Sequence, residues 1–322
     1  MRVLAAPDSF KGTFTAAEVA AAMAAGVEAA GHEGDVCPLA DGGEGTAEAL
    51  RIALGGERRS MAATGPLGEP VDGSFVLLGD GRAAVDAAAA SGLALVPERE
   101  RDAEAADTRG TGELIAAAVE AGATEVLVGV GGTASTDGGR AAVEAITEAG
   151  VEARIACLCD VTTPWERAAA VFAPQKGAGS DAVVRLSERL DRLAAGLPRD
   201  PRALAMTGAG GGLAGGLWAA FDARLWPGAT FVGDAARFDD RLRDADLVIT
   251  GEGRLDETSL EGKLVAEVAA RARRAGVPVH AIVGRLAEGF DPSPLGLASV
   301  SEATTLAEIT SAAAGLLGEL GA

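Results

Sequence analysis

The chain contains no tyrosine and no asparagine, and only one glutamine, two histidines and three cysteines; among its 28 basic residues only three are lysines. Each shortage narrows the chemistry. With only His32 and His280, histidine-rich metal sites and most histidine-based triads are disfavoured. Cys37, Cys157 and Cys159 are odd in number and form no C-x-x-C pair, so they read as reduced, buried thiols in a cytoplasmic protein, not as a disulfide framework or zinc site. No apolar run is long enough to cross a bilayer, and the first residues turn polar too early for a signal peptide. The net charge of −19 argues against nucleic acid and anionic membranes as partners.

What is present is small. The chain carries 45 glycines, and 48% of its residues are apolar, largely alanine. A core of small residues suits an α/β protein with closely packed helices, and 322 residues are enough for about two domains. The three lysines, Lys11, Lys176 and Lys263, each adjoin a glycine in a loop-like setting. A chain that otherwise uses arginine keeps lysine where a compact point charge with three donors suits a phosphate or carboxylate.

The stretch 125–139 is the strongest local signal. A β-branched apolar run ends in a glycine loop that carries Gly131, Gly132, Thr133, Ser135, Thr136 and Asp137, and a helix follows from residue 140 to 148. Strand, glycine loop and helix aim backbone N–H groups at an anion, and an acid beside them can accept a proton or hold a metal ion. The same arrangement recurs. Asp8, Ser9 and Lys11 follow an apolar run at 2–6 and precede a helix opened by a Thr15–Glu18 capping box. Asp41 and Glu44 lie among glycines between a strand at 35–39 and a helix at 47–54. Asp160 ends a buried strand at 154–158. A continuous apolar strand at 245–250 closes in Gly251, Glu252, Gly253, Arg254 and Asp256; a second capping box is read at Thr258–Glu261, with Lys263 in the first helical turn.

Other elements follow from turn chemistry and periodicity. Residues 71–78 and 82–85 read as a hairpin, Thr111 as a cap of a helix running to Gly122, and Asp181 as the cap of an amphipathic helix ending near Leu193. A further strand is expected at 277–283 and a terminal helix from Glu302 or Thr305. Gly210-x-Gly212-x-x-Gly215 matches the dinucleotide fingerprint only as a string, because it lacks a convincing preceding strand and the distal acid. No Walker P-loop surrounds any lysine. Strand–loop–helix units at both ends, with hairpin material between, predict an α/β fold of two domains: a Rossmann-like parallel-sheet domain from residues 1–64 and 236–322, and an inserted α/β domain at 65–235.

Taken in order, Pro7-Asp-Ser-Phe-Lys-Gly-Thr13, Ala40-Asp-Gly-Gly-Glu-Gly-Thr46, Gly110-Thr-Gly-Glu-Leu114, Gly131-Gly-Thr-Ala-Ser-Thr-Asp-Gly-Gly139, Cys159-Asp-Val161, Pro174-Gln-Lys-Gly-Ala178, Gly208-Ala-Gly-Gly-Gly-Leu213 and Ile249-Thr-Gly-Glu-Gly-Arg-Leu-Asp256 resemble the class I bacterial glycerate kinases. The resemblance spans nearly the whole chain. It implies a two-domain kinase with its active site in the cleft between domains, using ATP and Mg²⁺ to phosphorylate D-glycerate, with 2-phosphoglycerate the favoured product. Three departures stand out: Thr136 where the family usually has Asn, Thr258 where it usually has Gln, and a short segment between Gly139 and Cys159. They motivate one alternative, a kinase for another small hydroxy acid; a catalytically decayed sensor that binds glycerate or nucleotide is the other.

Phosphoryl transfer needs in-line positioning, cations on the phosphate oxygens and a group that accepts the hydroxyl proton. The expected catalytic residues are Asp137 and Asp41 as candidate bases, with Lys11 and Arg254 as cations. Asp8, Ser9, Thr111, Gly131, Gly132, Ser135, Lys176, Gly210, Gly211, Gly251, Glu252 and Gly253 are expected to bind substrate or nucleotide, and Asp41, Asp160 and Asp256 to hold the metal.

Overall fold

The structure is a computed structural model and describes residues 1–260 and 263–320. The chain divides into two compact units, a terminal unit of Met1–Asp41 with Ala229–Ala322 and a central unit of Gly42–Gly228. The chain starts with β1 (Arg2–Ala5), α1 (Ala16–Ala29) and β2 (Glu33–Val36). Next come α2 (Thr46–Leu54), β3 (Gly56–Thr64), β4 (Pro70–Leu78), β5 (Ala83–Asp86), α3 (Ala88–Ser91), α4 (Arg109–Glu120), β6 (Val126–Gly129) and α5 (Arg140–Ala149). After β7 (Ile155–Cys159) the central unit continues with α6 (Ala168–Phe172), α7 (Ser180–Gly196), α8 (Leu213–Phe221) and β8 (Arg224–Pro227). The return consists of α9 (Gly228–Ala235), α10 (Phe238–Arg243), β9 (Leu247–Thr250), α11 (Leu264–Ala275), β10 (Val279–Val283), β11 (Ser299–Glu302) and α12 (Leu306–Leu320).

The terminal unit is built on a five-stranded sheet, all parallel, in the order β11-β10-β9-β1-β2. One face packs Val3, Ala5, Ile249 and Ile282 against Val19, Met23 and Val27 of α1 and Ile309, Ala313 and Leu317 of α12. The predicted face of α1 is therefore its core face, and its capping box is formed, with Thr15 accepting from the Glu18 N–H. The other sheet face carries Val265, Ala281, Val283 and Leu295. From β1 the chain winds to β2 on one side; from β9 it winds to β10 and β11 on the other. The carboxyl ends of β1 and β9 thus form a topological switch point, the place where open α/β sheets bind ligands.

The central unit carries a six-stranded sheet in the order β3-β4-β5-β6-β7-β8. The β3–β4 and β4–β5 pairs are antiparallel, and β5 to β8 run parallel. Its core joins Val85, Val126, Val128, Ile155 and Cys157 of the sheet to Leu114 and Ile115 of α4, Ile146 of α5 and Leu213 of α8. A satellite cluster surrounds the buried Trp165, whose indole N–H donates to the Leu190 carbonyl at 3.0 Å.

Several sequence expectations shift here. The unit boundaries fall at 41/42 and 228/229, where the sequence reading placed them at 64/65 and 235/236, because α2 and the long β3 belong with β4. The strand expected at 35–39 is β2, two residues earlier. Asp181 lies in the first turn of α7 but does not cap it; the cap position is Gly179, with no side-chain bond. Lys263 is the residue that precedes α11, outside its first turn. Glu261, the acid of the second capping box, lies outside the described residues. Among the described residues no helix is long and apolar enough to cross a membrane.

Candidate active site

In the terminal unit three loops leave the carboxyl ends of the adjacent strands β2, β1 and β9. They are knitted together by backbone bonds, Asp8 N–H to the Gly251 carbonyl at 2.8 Å and Leu39 N–H to the Pro7 carbonyl at 3.0 Å. Gly251 and Gly253 permit this: a Cβ at Gly251 would overlap the Ile282 carbonyl oxygen, and one at Gly253 would press on Phe10 and Lys11 at 3.3 Å. The loops bring together Asp8, Ser9, Lys11, Asp41 and Glu252. Lys11 Nζ lies 3.7 Å from Asp41 Oδ2. The Ser9 N–H donates to Asp8 Oδ1 at 2.7 Å.

This cluster is acidic, and the acids feel one another. Burial, then Asp41, push the Asp8 carboxyl well above its ordinary range, and Lys11 opposes the shift. Burial raises Glu252 to about 7, against the Ser259 hydroxyl and Lys263. Glu252 is only 8% exposed and Ser9 9%, yet Glu252 Oε1 and Ser9 Oγ have no hydrogen-bond partner among the described residues. Further along the same loop Arg254 Nε pairs with Asp256 Oδ2 at 3.2 Å. Asp256 Oδ1 accepts from the Thr258 N–H and hydroxyl at 3.0 and 2.6 Å, and Lys263 Nζ donates to that hydroxyl at 2.7 Å. Thr258 thus belongs to a local turn that holds Asp256.

The central unit presents a second group at the carboxyl ends of β6 and β7. Lys176 is 3% exposed; its ammonium donates to Thr133 Oγ1 at 3.2 Å and to the Ser135 carbonyl. Burial lowers its pKa to about 8, with Asp137 and Asp160 opposing. Gly211, at φ +68°, lies against this lysine, where a Cβ would come within 3.0 Å of Nζ and overlap the Ser135 carbonyl. Gly210, Gly211 and Gly212 are all left-handed, a run that only glycine adopts at low cost. The Gly131 N–H donates to the Gly42 carbonyl at 3.0 Å, and a Cβ on Gly131 would sit 2.8 Å from Asp160 Oδ2. Gly132 accepts from the Leu93 N–H at 2.8 Å. Ser135 Oγ and Thr136 Oγ1 are buried without partners among the described residues.

Two expected site residues make several bonds within the central unit. Asp137 Oδ2 accepts from the Thr108 hydroxyl at 2.8 Å and from the Thr108 and Ala141 N–H groups at 3.2 Å; Oδ1 accepts from the Gly139 N–H at 3.1 Å. That is the placement of an acid tying the α5 N-terminus to α4. Thr111 does not cap α4, whose cap position is Thr108. It lies buried inside the helix and donates to Ser91 Oγ at 2.8 Å and the Ala87 carbonyl at 3.3 Å.

Two residues were not singled out from the sequence. Asp86 ends β5 and accepts from the Gly45 and Ala47 N–H groups at 2.9 and 2.8 Å, closing the α2 N-terminus while burial raises it to about 6. Its signal was available, an acid at the end of an apolar strand. Arg189 of α7 donates to the Thr136 and Glu104 carbonyls, both at 2.7 Å. An arginine on an amphipathic helix carries no comparable signal.

Comparison with known proteins identifies the family. The model of the glycerate kinase family matches residues 3–152 and 144–319. A glycerate 2-kinase of Escherichia coli (strain K12) is 37% identical, over 89% of this chain and 86% of that protein. A glycerate kinase of Bacillus subtilis (strain 168) is 38% identical over 89% and 85%. A crystal structure from Salmonella typhimurium LT2, provisionally named glycerate kinase 2, superposes with a TM-score of 0.80 at 35% identity, covering 100% of this chain and 98% of that one. The chain therefore belongs to the glycerate kinase family, whose members are phosphotransferases.

Proposed function

We propose that this protein transfers the terminal phosphoryl group of ATP to D-glycerate with Mg²⁺, giving 2-phosphoglycerate. The observation that carries the reading is the cluster of Asp8, Lys11, Asp41 and Glu252 at the switch point of the terminal sheet, in a chain of this family. Asp41 takes the role of base: it is 2% exposed, and the adjacent Lys11 offers a cation for the carboxylate of the acid. Asp137, whose two oxygens already receive four donors, is a positioning residue in this reading. Lys176 and the glycines at 131, 132, 210 and 211 supply the phosphate-facing surface, and Arg254 is the fork available for a carboxylate or phosphate.

Among the described residues no three acid, histidine or cysteine side chains are arranged to hold an ion by themselves. Mg²⁺ does not require such a cage, since it binds through one or two carboxylates and the phosphates of its substrate. Asp160, beside the glycine loop at Gly131, fits that role in the central unit, whereas Asp41, taken here as the base, does not serve as a ligand in this reading. Asp256 fits least, because Thr258 and Arg254 already occupy its oxygens. When bound, the ion would neutralise charge on the phosphate oxygens.

The test is ADP release with D-glycerate, with and without Mg²⁺, followed by NMR of the product. Magnesium-dependent release with a phosphorus–carbon coupling to C2 is expected. No ADP, or a product phosphorylated at C3, would contradict the proposal. A panel of hydroxy acids in which D-glycerate does not lead would contradict its substrate.

A further inference from the structure

The terminal cluster holds three carboxyl groups, those of Asp8, Asp41 and Glu252, and among the described residues two lysines act on it, Lys11 beside Asp41 and Lys263 on Glu252. A polyphosphate brought here would face like charge in a poorly solvated place, where repulsion is strong. A small polyhydroxy acid suits it better. Its hydroxyls can donate to carboxyl oxygens, and its single carboxylate can meet Lys11, whose side chain is 48% exposed. Two buried oxygens in this cluster have no partner among the described residues, Ser9 Oγ and Glu252 Oε1. Buried polar groups are normally satisfied, and an orphaned pair at a ligand-binding switch point calls for a polar ligand that completes it. The central unit has the opposite character, a buried lysine among glycine loops.

We propose, resting on the glycerate kinase reading above, that the switch point of the terminal unit is the acceptor-substrate subsite. Ser9 and Glu252 are its specificity-determining residues, exchanging hydrogen bonds with the hydroxyl groups of the acid. Ser9 can both donate and accept, so it matches a hydroxyl in either sense. A site built to bond a substrate hydroxyl rejects the analogue that lacks it far more strongly than an apolar pocket does, because its own groups are then stranded.

The experiment compares wild type with Ser9→Ala and Glu252→Gln, two substitutions of nearly unchanged shape. Three quantities are measured: the calorimetric Kd for D-glycerate without nucleotide, the KM for D-glycerate and for ATP, and the kcat/KM ratio of D-glycerate to D-lactate, which lacks the 3-hydroxyl. Each variant is expected to weaken D-glycerate by about tenfold or more in Kd and KM, to leave the ATP KM within about threefold, and to shrink the glycerate-to-lactate ratio by about tenfold. A rise in ATP KM with D-glycerate unaffected overturns the inference, as does an unchanged ratio in both variants. Wild-type protein that binds D-glycerate yet releases no ADP defeats only the kinase reading, and the Kd comparison still decides the subsite. Wild-type protein that binds no D-glycerate defeats the subsite itself.

Discussion

Asp137 is the residue on which sequence pattern and geometry pull apart most sharply, and Asp137→Asn separates them. The carboxylate accepts four hydrogen bonds, three of them on Oδ2. An asparagine retains one acceptor oxygen. With that oxygen in the Oδ2 position, its NH₂ group faces the Gly139 N–H, donor against donor. One buried donor left unmatched costs about 1–3 kcal/mol, and exchanging charge-assisted bonds for neutral ones costs about 1 kcal/mol more. Loss of a negative charge at the α5 N-terminus adds up to about 1 kcal/mol. The expected destabilisation is about 2–5 kcal/mol, a fall in Tm of roughly 4–20 °C for a unit of this size. Assayed well below the new Tm, kcat should fall by less than about tenfold. A general base would behave in the opposite way, with Tm unchanged and kcat reduced by about 10²–10⁴. Calorimetry and single-turnover kinetics on the same preparation decide, and an intact Tm with a hundredfold loss of kcat would refute the positioning role.

Asp41→Asn should give that converse signature, a loss of at least about 10² in single-turnover rate with little change in Tm. For Lys176, folding lowers the pKa to about 8, so its charge is lost as pH rises through that value; the KM for ATP should rise above pH 8, and Lys176→Met should abolish the inflection. The stability sign is reversed. Between about 8 and the ordinary lysine value near 10.4 the unfolded chain holds the extra proton, so this group's contribution to stability grows with pH, and the wild-type Tm should gain on that of Lys176→Met across this range. Gly211→Ala places a methyl group against Ser135 and within 3.0 Å of Lys176 Nζ at a left-handed φ; a loss of about 2 kcal/mol or more in denaturant unfolding is expected, and a neutral result would show that this loop can shift.

The parts of the fold that were legible in the sequence, and the parts that were not, divide along one physical line. The interior strands β1, β4, β5, β6, β7, β9 and β10 were all visible as apolar or alternating runs. The four sheet edges were missed or displaced: β3, β8 and β11 were not read as strands, and β2 was placed two residues late. An edge strand buries little of its surface and tolerates charge, which protects its open side from pairing with other chains. β3 shows this directly: Arg58 and Arg59 lie exposed along it, and only Ala63 is fully buried. Overlooking β3 moved the domain boundary from 41/42 to 64/65, because the hairpin that fixes the central unit begins there.

The site divides along a different line. Residue type and position at strand ends picked out the candidate acids, since a parallel sheet delivers whatever follows its strands to one edge: Asp8, Asp41 and Glu252 follow β1, β2 and β9 of the terminal sheet, and Asp160 follows β7 of the central sheet. Their roles depend on what each oxygen already receives, which no spacing encodes. Asp137 and Glu252 make the contrast: both are acids in glycine loops behind apolar strands, and a pattern treats them alike. Asp137 accepts three backbone N–H groups and a hydroxyl; Glu252 keeps a buried oxygen with no partner among the described residues. Carboxylates that seal a helix terminus have their lone pairs committed before any substrate arrives. The acids to pursue in this enzyme are therefore those that the fold buries and leaves incomplete.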